Sequence, residues 1–213
     1  RLAAQKLISQ TEREQLEYRA YREMILFEAK NPDDIERIRS LWADMPDYLR
    51  GNTELIVLYA EALVQADEDA IAERLLNHSL DHHWDARLVT RYGLLNVDAD
   101  RQLVKAEKWL QERPNDPELL LTCGRLSLRT GKWEKAQEYF EASQRQRPSG
   151  VVCAELARLY ASLGEHNKSQ LYYRQSVEML AKSLPSLPQP KQPEGTTSPI
   201  GEVVDAEDSS KSA

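Results

Sequence analysis

Apolar residues recur at three- and four-residue steps along most of the chain, the spacing of one buried face on an α-helix. Within 118–129 this pattern includes a small residue, Gly124, and a second amphipathic stretch carries Ala136 at its start. Gly131 stands where a left-handed residue closes the first helix, and Pro148 stands where the second ends. The pattern predicts two helices in a hairpin, with the small residues allowing close approach of the backbones.

The hairpin is followed by a faint copy of itself. The stretch "GRLSLRTGKWEKAQEYFEASQ" and the stretch "ARLYASLGEHNKSQLYYRQS" align at an offset of 33 residues. A fixed period of this length is typical of stacked helical repeats. The offset pairs Arg125 with Arg158, Leu126 with Leu159, Gly131 with Gly164, Tyr139 with Tyr172 and Ser143 with Ser176.

Weaker copies precede this pair, one of them beginning near Asp85 and shortened by Pro114. The sequence therefore predicts an all-α solenoid of four to five helix pairs within 1–182, with each pair supplying part of a continuous core. Its units are expected near 12–50, 53–83, 85–116, 117–149 and 150–182.

The segment 183–213 has a different composition from the repeats. It holds five of the ten prolines, five acidic and two basic residues, and no aromatic residue. Such a segment buries too little apolar surface to offset its ordering entropy. We expect it to be a disordered, proline-rich acidic tail.

Net charge and cysteine content limit the classes of protein to which this sequence can belong. The net charge of −7 disfavours nucleic acid as a partner. Cys123 and Cys153, each among apolar neighbours, are expected to be buried, unpaired core thiols. No run of 18 apolar residues is present, so we expect no membrane-spanning helix within the sequence given. The chain starts at Arg1 within a helical pattern, so we expect that an N-terminal segment has been removed.

The motifs of common enzymes are absent from the sequence. There is no Gly-x-Ser-x-Gly elbow, no histidine near either cysteine in sequence, and no glycine-rich phosphate loop. Acidic pairs such as Asp33–Asp34 lie where helix caps are expected. The sequence therefore predicts a protein that is not an enzyme, with no resident cofactor or metal.

One histidine cluster, "NHSLDHHWD", leaves a second possibility open. His78 and His82 are four residues apart, a spacing that can place two imidazoles on one helix face, and His83 follows. The cluster is expected at a turn between helices, where surface histidines are common. Axial ligation of haem iron by one of them is the alternative interpretation.

Four stretches together resemble a known family: "RSLWADMP", "VLYAEALVQADEDAIAERLL", "AEKWLQERPNDPELLLTCGRLSLRTGKWEKAQEYFEASQ" and "LARLYASLGE". Gly124, Ala136, Phe140 and Pro148 also stand at the spacing of the tetratricopeptide signature. The chain resembles the C-terminal tetratricopeptide region of the HemY family, over about 20–180. The resemblance implies attachment to the bacterial inner membrane through an N-terminal segment absent from this chain, and a role in late protohaem synthesis. The repeats are expected on the cytoplasmic side.

In a tetratricopeptide unit the first helix lines a concave groove, and Arg125 and Arg158 occupy the same position on that helix. Arg129 lies one turn after Arg125, and Arg91 takes a groove-facing position in the preceding unit. These four arginines predict a basic stripe that binds carboxylates of a partner. The alternative is that they pair with Glu118, Glu155 or Glu61 and only solvate the groove.

The sequence therefore predicts a non-catalytic protein-interaction module of a membrane-anchored protein, scaffolding or regulating enzymes of late haem biosynthesis. A porphyrin or haem carrier, or chaperone, is the alternative. The four tryptophans favour core packing over a ligand-stacking site, with Trp109 and Trp133 at core positions.

Overall fold

The computed structural model describes residues 9–30 and 34–181, so the predicted tail at 183–213 lies outside the described residues. The described part is all α-helical, as predicted, and contains no strand. Its helices are α1 Gln10–Glu28, α2 Ile35–Ala43, α3 Asp47–Arg50, α4 Thr53–Gln65, α5 Asp69–His82, α6 Ala86–Tyr92, α7 Ala99–Glu112, α8 Pro117–Arg129, α9 Trp133–Gln146, α10 Gly150–Ser162 and α11 His166–Ala181.

Most of these helices begin at a polar side chain that accepts a hydrogen bond from an otherwise unpaired backbone N–H of the first turn. Ser9 and Glu12 form a reciprocal capping box at the start of α1. At the other end, Gly131 and Gly164 follow α8 and α10 with φ of 70° and 76°, where a side chain would be strained. The capping side chains are those of Ser9, Asn52, Asp85, Asp98, Asp116 and Ser149.

The helices pack in sequence order. α4 with α5, α8 with α9, and α10 with α11 form hairpins, while α1 packs on α2 and α4. The third pair is irregular, because α6 has only seven residues and α7 packs mainly on α8. The helix bounds are compatible with five units, but that division remains a prediction.

The seam of the α8–α9 hairpin shows why small residues are needed there. Gly124 lies directly against the Phe140 ring, and a Cβ at position 124 would come within 2.4 Å of that ring. Phe140 and Ala136 are fully buried. The prediction that Trp133 also fills the core is wrong: its side chain is 42% exposed, since it stands at the first position of α9, beyond the seam. Trp109 is buried, as predicted.

Two large hydrophobic clusters meet at α8. Leu119, Cys123 and Leu126 pack into a cluster that extends back to α2, whereas Leu121 packs into the cluster formed with α9 and α10. A third, smaller cluster joins α1 to the start of α4. α8 is therefore the element that joins the two halves of the solenoid.

Candidate binding groove

The structure brings three of the four predicted arginines around one pocket of 260 Å³. Arg125, Arg129 and Arg158 line it together with Glu155 and Leu128. The first helices of consecutive units, α8 and α10, supply these side chains, as the 33-residue offset predicted. The pocket is closed on its other side by residues 93–96, which follow α6.

Glu155 holds two of the arginines by separate oxygens. Arg125 Nε donates to Oε1 at 2.8 Å, and Arg158 Nη1 donates to Oε2 at 3.1 Å. The Glu155 and Arg125 side chains are 10% and 15% exposed, whereas that of Arg158 is 69% exposed. Arg125 is therefore part of a buried ion pair, and Arg158 presents its charge to the solvent.

Arg129 has a different environment from its neighbours. Its guanidinium donates to the carbonyls of Leu95 at 2.6 Å and Val97 at 2.9 Å, and to Gln102 Oε1 at 3.3 Å. Gln102 in turn donates to the buried carbonyl of Tyr92 at 2.8 Å. Arg129 thus fastens the segment after α6 to α8 and has a structural function at the edge of the pocket.

A second pocket of 230 Å³ adjoins the first, and the two share Leu94 and Leu95. Its lining is mostly apolar: Ala60 and Val64 come from α4, and Leu94 is 52% exposed. Arg91, the fourth predicted arginine, stands at this pocket and pairs with Glu61. Together the two pockets form the surface that we call the groove.

The pairing alternative is correct for Glu61 and Glu155, which bind Arg91, Arg125 and Arg158. It is wrong for Glu118, which pairs with Arg147 instead. The apolar half of the groove was not predicted from the sequence. The only sign of it was the leucine pair after Gly93, in a segment too short to continue α6.

The three histidines lie together at another pocket, of 410 Å³, lined also by Trp42 and Arg50. His78 and His82 belong to the last turns of α5, and His83 follows it. The turn between α5 and α6 therefore begins at His83, later in the sequence than predicted. The two imidazole centroids are 4.4 Å apart. His82 Nδ1 lies 2.8 Å from the His78 carbonyl oxygen, which can only accept, so Nδ1 is the donor and Nε2 takes no part in this hydrogen bond.

Within 9–30 and 34–181, no three His, Cys, Asp or Glu side chains converge in a way that could hold a metal ion. Cys123 and Cys153 are free and buried, as predicted. Burial raises the pKa of the Cys123 thiol to about 12 and also raises the pKa of Cys153. Both thiols are therefore protonated and weakly nucleophilic at neutral pH.

In the described part of the chain, every helix is too short or too polar to cross a bilayer. Successive helical hairpins packed in sequence order form a tetratricopeptide-like helical solenoid. A solved tetratricopeptide protein of the thermophile Thermus thermophilus has the same fold, with a TM-score of 0.58 at 14% identity over 80% of this chain and 93% of that one.

The chain is similar to protein HemY of Escherichia coli K12, at 27% identity over 134 residues, which is 62% of this chain and 34% of the relative. It is also similar to the tetratricopeptide protein YpiA of Bacillus subtilis 168, at 29% identity over 68% of this chain and 36% of the relative. The chain thus spans about a third of the length of these curated relatives. No family model matches it. The comparison with HemY confirms the resemblance predicted from the sequence.

Proposed function

We propose that this chain is a non-catalytic protein-interaction module whose groove binds a segment of a partner protein. The observation that carries the proposal is the groove itself: a concave surface on successive first helices, with exposed apolar and cationic side chains side by side. A pocket that combines apolar lining with a few charged groups has the chemistry of a recognition site.

The finer part of the proposal follows from the similarity to HemY. In it, the module belongs to a protein anchored in the bacterial inner membrane by a segment outside this chain. There it scaffolds or regulates the enzymes of late protohaem synthesis. Two free, buried thiols agree with a reducing compartment and hence with the cytoplasmic side of that membrane.

Affinity capture from detergent-solubilised inner membranes tests the proposal. The chain is used as bait, together with Arg158→Glu as the groove variant and Arg145→Glu as its control. Both arginines are 69% exposed and each pairs with a glutamate of its own helix, but Arg145 lies on α9, outside the groove. Quantitative mass spectrometry should find enzymes of late haem synthesis with wild type and Arg145→Glu, and less of them with Arg158→Glu.

Equal capture by all three baits would rule out the groove as the contact surface. Capture of no haem-pathway enzyme would rule out the pathway role while leaving an interaction function elsewhere. Arg125→Glu is a poor variant for this purpose, because it would bury a second carboxylate beside Glu155 and destabilise the fold.

A second candidate function, a haem or porphyrin carrier, is favoured by one observation at the histidine pocket. The bond from Nδ1 of His82 to a backbone carbonyl is the orientation that metal-ligating histidines commonly have. The Nε2 of His82 and the Trp42 ring would suit an iron porphyrin, whose carboxylates would meet Arg50, a residue that also pairs with Asp47 of the same pocket.

Titration of the chain with haemin tests this candidate. A carrier should give a saturable shift of the Soret band that His82→Ala weakens and His166→Ala, a change of the one histidine outside the cluster, leaves unchanged. A spectrum that is insensitive to His82→Ala would exclude ligation by this histidine.

A further inference from the structure

We infer that the groove selects a partner segment that carries one large apolar side chain together with a nearby pair of carboxylates. This inference rests on the proposed interaction function and specifies the chemistry of the segment. It is drawn from the division of the groove into two adjoining pockets of different character.

The apolar pocket defines the first requirement. Ala60, Val64, Leu94 and Leu95 surround a volume of 230 Å³, and Leu94 and Val64 are 52% and 37% exposed. Covering exposed apolar surface of this kind with a leucine- or phenylalanine-sized side chain is favourable. The Arg91–Glu61 pair at the pocket is already neutral, so it adds no demand for a charged ligand.

The basic pocket defines the second requirement. Arg125, Arg129 and Arg158 line it together with a single carboxylate, Glu155, so positive charge is in excess among its lining residues. Arg158 is 69% exposed and, among the described residues, its guanidinium pairs only with Glu155, so it keeps unused donors at the surface. Guanidinium groups with unused donors bind carboxylates in charge-assisted hydrogen bonds. A carboxylate-bearing partner therefore complements this pocket, although the protein as a whole is acidic.

The shared wall of the groove links the two requirements. The two pockets meet at Leu94 and Leu95, so one segment that crosses this wall reaches both. Arg129 keeps the wall in place because it fastens the carbonyls of Leu95 and Val97 to α8.

Fluorescence-labelled synthetic peptides test the inference directly. Each peptide has a glycine–serine background, one leucine and a Glu-Glu pair, and the set varies their separation stepwise and in both orders. We expect the tightest binding at one separation, because the wall between the two pockets is held in place by Arg129. Leu→Ser and Glu→Gln peptides should each bind about tenfold more weakly or worse. Affinity that is independent of separation, or unchanged by either substitution, would overturn the inference.

Variants of the protein assign the two requirements to the two pockets. Leu94→Ser should remove the advantage of the leucine, and Arg158→Glu that of the carboxylates, whereas Arg145→Glu should preserve both. Circular dichroism melting curves verify that each variant is folded.

The outcome is distinguishable from that of the membrane capture. Capture that depends on Arg158, together with peptides that show no preference, would refute this specificity and leave the interaction function intact. Peptide binding that Leu94→Ser and Arg158→Glu do not change would place the ligand outside the groove and refute both.

Discussion

The last two units and the third unit show two uses of the same repeat. In the last two, α8 and α10 each have 13 residues, and close turns at Gly131 and Gly164 return the chain at once into the second helix. In the third unit α6 ends after seven residues, and the chain then runs along the groove as residues 93–96. The regular units build the scaffold, and the interruption of the repeat supplies the wall between the two pockets.

The largest expected effect concerns one position of the repeat, which is aromatic in both of the last two units. Phe140 is fully buried, whereas Tyr173, 33 residues later, is 45% exposed. Phe140→Ala should lower the free energy of unfolding by about 3–5 kcal/mol. Tyr173→Ala should lower it by less than about 1 kcal/mol. Urea denaturation measures both, and equal losses would show that the two units do not use this position differently.

The next effect concerns the irregular unit. Arg129→Met removes the donor to two carbonyls and to Gln102, so it should cost about 1.5–3 kcal/mol and speed hydrogen exchange within 94–97. Arg158→Met, which breaks an exposed ion pair, should cost less than about 1 kcal/mol. If exchange at 94–97 is unchanged in Arg129→Met, then other contacts hold this segment.

A smaller effect is expected at the α8–α9 seam. In Gly124→Ala the new methyl group would press on the Phe140 ring, and the overpacking outweighs the gain in helix propensity by about 1 kcal/mol. Gly51→Ala is the control, because a Cβ there meets no atom within 4 Å. The melting temperature should fall for the first variant only, and a stabilised Gly124→Ala would show that the ring yields.

The smallest expected effect is a loss of stability at mildly alkaline pH. Burial raises the pKa of Cys123 from an ordinary value near 9 to about 12, and it raises the pKa of Tyr92 as well. The unfolded chain therefore loses these protons first. Stability is complete below the ordinary pKa values and declines as the pH rises toward the raised ones.

For Cys123 alone the loss should be about 0.4–0.8 kcal/mol at pH 9. Urea midpoints measured from neutral pH upward would reveal it, and Cys123→Ala should show a shallower decline. A wild-type midpoint that rises with pH would contradict the assignment.

Much of the fold could be predicted because local rules determine it. The cap at Asp85, the early stop before Pro114 and the left-handed Gly131 each follow from one residue and its neighbours. The exposure of the Trp133 side chain could not be predicted in this way. Periodicity assigns it a helix face, but whether that face is covered depends on where along the seam the neighbouring helix ends.

The groove was predictable only in part. The matched positions of Arg125 and Arg158 follow from the offset, and the structure gathers both at Glu155. The role of Arg129 depends on carbonyls 32 and 34 residues earlier in the sequence, exposed by the shortness of α6. No side-chain pattern encodes free carbonyls, so this contact was invisible in the sequence.

The hydrogen bonds of Arg129 also have a consequence for the way the molecule comes apart. Solenoids are held by contacts between neighbouring units and can lose their terminal units first. Here the third and fourth units, in the middle of the solenoid, are joined both by the packing of α7 on α8 and by the hydrogen bonds of Arg129. Unravelling that starts at α1 or at α11 thus advances toward its most strongly joined boundary, and α8 is the last helix to be released.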